Sequence, residues 1–95
     1  MYIISIKIKA ELLDEQRAAE LLAAHRQWFT SHFQAGDFLL LGPYLDEQNA
    51  GVIIAKAPSR AALDEIIAGD VYYPELAEYE VREFRAAMAV SGLNE

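Results

Sequence analysis

The chain contains no cysteine, which excludes disulfides, thiolate metal sites and thiol nucleophiles. Positive charge is scarce: 8 Lys and Arg stand against 15 Asp and Glu, for a formal net charge of −7. Phosphate neutralisation needs clustered Lys and Arg, so no nucleic acid is expected as a main ligand. No apolar run approaches the roughly 18 residues needed to cross a membrane. Residues 1–9 alternate and carry Lys7 and Lys9, unlike the apolar segment of a signal peptide. A soluble, cytoplasmic protein is the expectation. Gly-rich phosphate loops, nucleophile elbows and metal-binding His-Glu spacings are also missing, so neither a metal nor a cofactor is expected.

What the chain has is apolar patterning. Of its 95 residues, 54% are hydrophobic, rich for a single domain spanning 1–95. Residues 2–9 alternate as a strand, with Tyr2, Ile4, Ile6 and Ile8 on one face and Ile3, Ser5, Lys7 and Lys9 on the other. Residues 14–35 read as a helix with Asp14 as N-cap and Gly36 just past its end. Ala18, Leu21, Leu22, His25, Trp28, Phe29, His32 and Phe33 share an arc of about 140°, while Arg17, Glu20, Arg26 and Gln27 fall elsewhere. Phe38–Leu41 and Val52–Ala55 are short apolar strands separated by a turn-rich loop. A second helix starts at Ser59, turns Leu63, Ile66 and Ile67 inward and stops at Gly69. Residues 70–77 read as irregular or a single turn, and Tyr79–Phe84 as a last strand. The tail from Arg85 reads as a short helix or frayed.

The order βαββαβ predicts a ferredoxin-like α+β sandwich, four antiparallel strands with both helices on one face. Strands two and three are nevertheless apolar on both sides, and the first adds Ile3 to the outer face. An antiparallel sheet facing water alternates with polar residues. A second sheet packed on that face resolves the conflict, so a homodimer with a barrel-like interior is expected.

His25 stands near the centre of the helix arc, where leucine would be ordinary. A buried imidazole needs a partner. Asp70 is 11 residues past Ser59 and His25 is 11 past Asp14. At about 1.5 Å per residue both lie about 16 Å along helices that start at similar levels. The two should therefore meet. An adjacent carboxylate would fix the imidazole tautomer and leave its other nitrogen able to exchange a proton with a ligand. On these residues alone the alternative, that Asp70 only satisfies a buried histidine and pins the end of the second helix, stands slightly ahead. His32 reads as a helix residue beside Trp28, with Asp37 in reach. Tyr72 and Tyr73 follow Asp70 and could line a cleft for a small molecule, with Trp28 beside them; packing roles are open for all three.

Taken together, the opening strand Met1-Tyr2-Ile3-Ile4 and the segment Ala24-His25-Arg26-Gln27-Trp28-Phe29 resemble the YciI-like (YCII-related) family. So do Gly36, Phe38-Leu39-Leu40-Leu41-Gly42-Pro43, Gly51-Val52-Ile53-Ile54-Ala55, Ser59-Arg60, Asp70 and Tyr79 to Phe84. The resemblance covers about residues 1–86 and implies a dimeric α+β barrel with His25 and Asp70 as its active-site pair. It also implies acid–base chemistry, of lyase or isomerase type, on a small cyclic or aromatic molecule. The family usually has Asp-Pro-Phe where this chain has Asp70-Val71-Tyr72, with Pro74 displaced, so the loop after Asp70 is expected to differ in shape. The competing expectation is a non-catalytic dimeric module that binds a ligand or a protein, with His25 occluded and no cavity beside it.

Overall fold

The computed structural model describes residues 1–92. Its elements run β1 (Tyr2–Ile8), a 3-10 turn (Ala10–Leu12), α1 (Glu15–Ala35), β2 (Phe38–Pro43), β3 (Ala50–Ala55), α2 (Arg60–Ala68) and β4 (Ala77–Glu83). The strands form one antiparallel sheet in the order β2-β3-β1-β4. This is the expected ferredoxin-like sandwich.

Alternation in β1 decides which face the helices cover. Tyr2, Ile4 and Ile6 are buried, and they pack with Ile53 and Ala55 of β3 beneath Trp28 of α1 and Leu63 and Ile67 of α2. Ile4 pairs with Ile53 on one side and Val81 on the other, so directly opposed residues put their side chains on the same face. In β2 a register shift between Phe38 and Leu40 lets Phe38 and Leu41 face inward while Leu40 faces outward. The outward set is Ile3, Leu40, Val52 and Ile54, all half-buried, and beyond them Glu78, Glu80 and Arg82 of β4, all exposed.

Both helices begin as their sequences predict. The Asp14 carboxylate accepts from the Arg17 amide at 2.8 Å, and the Ser59 hydroxyl accepts from Ala62 at 3.1 Å. Gly36 ends α1 in the left-handed region at φ 88°, a conformation glycine adopts without strain.

Several boundaries differ from expectation, each for a local reason. β2 continues through Gly42 to Pro43 because it is an edge strand, where proline removes no ladder bond that the sheet needs. β4 starts at Ala77, opposite Ile8, two residues before the expected Tyr79. Gly69 ends α2 with a right-handed φ of −79°, so its role is space, not handedness. A Cβ there would lie 3.3 Å from the Ile66 carbonyl and 3.5 Å from Trp28 Nε1. Phe33, expected to face inward, is 49% exposed, and it stands at the margin of the helix arc. Residues 85–92 form neither helix nor strand, and the rest of the tail lies outside the described residues.

Candidate active site

Two helix features bring His25 and Asp70 together. His25 lies midway along α1 and faces α2, whereas Asp70 sits in the turn leaving α2. That turn is held by its own backbone: the Asp70 amide donates to the Ile67 carbonyl at 3.0 Å, and the Tyr73 amide donates to the Asp70 carbonyl at 3.0 Å. Trp28 locks the two helices in register, its indole N–H donating to the Ile66 carbonyl at 2.9 Å. The expectation that the shorter helix ends level with the middle of the longer one is met.

His25 Nδ1 lies 2.7 Å from Asp70 Oδ1, and the Tyr79 hydroxyl donates to Asp70 Oδ2 at 2.7 Å. The Asp70 side chain is fully buried, yet both of its oxygens accept a hydrogen bond, which a buried carboxylate requires. With Oδ1 as acceptor, the imidazole carries its proton on Nδ1 and presents Nε2 as the free nitrogen. Burial, then the hydrogen bond to Asp70 and its negative charge, push the Tyr79 phenol well above its ordinary range. Tyr79 therefore stays a donor. The Tyr72 phenol is also pushed up, by burial and then by Asp70, while Arg26 acts in the opposite direction.

Three aromatic rings hold the imidazole plane. Trp28 stacks on it at 5.5 Å, Phe29 meets it edge-on at 5.3 Å, and Tyr72 tilts against it at 5.0 Å. The ring is not sealed in. Among the described residues no buried side-chain nitrogen or oxygen lacks a hydrogen-bond partner, and Nε2 has no protein partner, so Nε2 reaches open space.

A cavity of about 800 Å³ lies between α1, the sheet and the β2–β3 loop. His25 lines it. Leu22, Arg26 and Phe29 complete the α1 wall, Ile6, Ile8, Leu41 and Ile53 form the floor, and residues 44–49 form the opposite side. The loop is fixed to the sheet's other face, where the Ser5 and Tyr44 hydroxyls lie 2.7 Å apart and Lys7 pairs with Glu47.

Trp28, Tyr72 and Tyr73 do not line this cavity. Trp28 and Tyr72 are buried against the imidazole, and Tyr73 is half-exposed against Tyr79. The direction of the chain explains the difference. The turn after Asp70 lies on the α2 side of His25, and the opening lies on the side of the β2–β3 loop. His32 pairs with Asp37 at 2.9 Å, just past the helix end. Among the described residues no three His, Cys, Asp or Glu side chains converge as a metal site. Tyr79 escaped the sequence reading, although β1–β4 pairing opposite Ile6 gives the signal: it turns Tyr79 to the helix-covered face, toward Asp70.

The fold and the pair together define a class, a small α+β sandwich with a buried carboxylate behind a cavity-lining histidine. The chain belongs to the YCII-related domain family, whose model matches residues 1–85. No curated protein sequence matches the chain. Among solved structures it is similar to muconolactone isomerase, with a TM-score of 0.77 and 17% identity over 99% of this chain and 95% of that one. At that identity the likeness establishes the shared fold alone.

Proposed function

We propose that the chain is a cofactor-independent enzyme that performs acid–base chemistry on a small cyclic or aromatic molecule. His25 is its general acid and base, and Asp70 orients the ring. The observation that carries this reading is the setting of the imidazole: Nδ1 is bound to a buried carboxylate, Nε2 has no protein partner, and His25 lines a cavity large enough for a small molecule. A histidine satisfied only for packing needs no such opening. The shared fold with an isomerase of a small lactone is consistent with the substrate's size and supports nothing finer.

The test is a screen of small cyclic acids, lactones and phenols for turnover. His25→Gln and Asp70→Asn should each lower turnover by about a hundredfold or more while the far-UV spectrum and thermal transition of His25→Gln persist. Retained turnover in folded His25→Gln would overturn the assignment.

The apolar outer face supports a homodimer. Ile3, Leu40, Val52 and Ile54 form a contiguous patch across β1, β3 and β2, bordered by the charges of β4. A second copy of the same face is the occupant that matches its shape and patterning. Sedimentation at micromolar concentration should give a dimer, and Val52→Glu should give a monomer.

A further inference from the structure

Deepening the proposed function, we infer that the cavity takes a small apolar molecule bearing a carboxylate, which Arg26 anchors. Arg26 is exposed, and by helix geometry alone it belongs to the polar side of α1. It stands only 40° around the helix from Leu22 and 60° from Phe29, however, and all three line the cavity with His25. The apolar floor of Ile6, Ile8, Leu41 and Ile53 suits a ring or a branched hydrocarbon, and it offers nothing to a charge.

Arg26 is free to supply one. Among the described residues it has no ion-pair or hydrogen-bond partner, although the chain carries 15 acidic residues. The acidic side of the cavity wall is weaker than it looks, since Glu47 is held by Lys7. Asp46 is the remaining carboxylate of the wall, and it too is unpaired among the described residues. A guanidinium recognises a carboxylate through two parallel N–H donors, a geometry that an ammonium or an amide does not offer. Arg26 and His25 line the same cavity, so one small molecule can be anchored by the first and reach the second.

Benzoate and benzamide are the probes, because they share a ring and differ in charge. Titrated into the full chain and followed through the amide resonances of Leu22, His25 and Phe29, benzoate should bind about tenfold more tightly than benzamide. Arg26→Gln should abolish that preference without altering the thermal transition, and Arg26→Lys should restore part of it. Asp46→Asn should tighten benzoate alone, and added salt should weaken benzoate alone. Equal affinities, a preference that survives Arg26→Gln, or no benzoate binding at tens of millimolar would each overturn the inference. The inference rests on the cavity being the ligand site, but it fails separately from the catalytic reading. Arg26-dependent benzoate binding in a chain that turns over nothing would sink the catalysis and leave the carboxylate site standing. Turnover of neutral molecules with no preference for benzoate would do the reverse.

Discussion

Two histidine–aspartate pairs stand seven residues apart on α1, and they differ in almost everything except chemistry. His32 and Asp37 are neighbours in the chain, 2.9 Å apart, with side chains 27% and 38% exposed. His25 and Asp70 come from separate helices, 2.7 Å apart, with side chains 12% and 0% exposed. Water can replace either member of the first pair. In the second, Asp70 has no water to fall back on, and its other oxygen is already committed to Tyr79. The same two residue types thus close a helix end in one place and join two helices around a buried carboxylate in the other. Burial and the third partner make the difference.

Removing Asp70 should break that contrast most sharply. Asp70→Ala strands the His25 N–H and the Tyr79 hydroxyl together, so a loss of about 3 kcal/mol is expected in denaturant unfolding. A loss comparable to that of a surface pair would mean that water enters the site freely.

Tyr79→Phe comes next. It leaves one buried carboxylate oxygen unsatisfied and should cost about 1.5 kcal/mol. The same residue sets an alkaline limit. A tyrosine ordinarily ionises near pH 10.0, and Tyr79 keeps its proton well beyond that in the folded chain. Below about pH 10 both folded and unfolded states are protonated, and the stabilisation is complete. Above it the unfolded chain releases a proton that the folded chain retains, so stability falls as pH rises toward the folded value. Thermal transitions measured from pH 9 upward should show this decline, and Tyr79→Phe should make it shallower. An unchanged slope would remove Tyr79 from the network.

The smallest effect is expected at the local pair. Asp37→Asn should change stability by about 0.5 kcal/mol or less, and by less still in high salt. If it matched Asp70→Ala, the distinction between the pairs would collapse.

Much of this was legible before any coordinates. Alternation in Tyr2–Ile8, the Asp14 and Ser59 caps and the Gly36 terminus are local signals, because each depends on a few adjacent residues. Even the meeting of His25 with Asp70 followed from counting residues along two helices with comparable starts. The direction of the cavity was not legible. Trp28, Tyr72 and Tyr73 look like its natural lining in the sequence, yet Leu22, Arg26 and the β2–β3 loop form the walls. Nothing local marks Arg26, which a helix wheel puts on the polar side.

The sequence by itself determined the βαββαβ order, the face of β1 that is buried, and the histidine that needed a partner. Periodicity and capping are properties of short segments, so they survive without knowledge of the fold. Only the tertiary structure decided that Tyr79 completes the Asp70 carboxylate and that His25 lines a cavity walled by the β2–β3 loop. It alone set Arg26 at the cavity's edge. Those outcomes depend on sheet pairing and on the angle between packed elements, and no run of neighbouring residues encodes either alone.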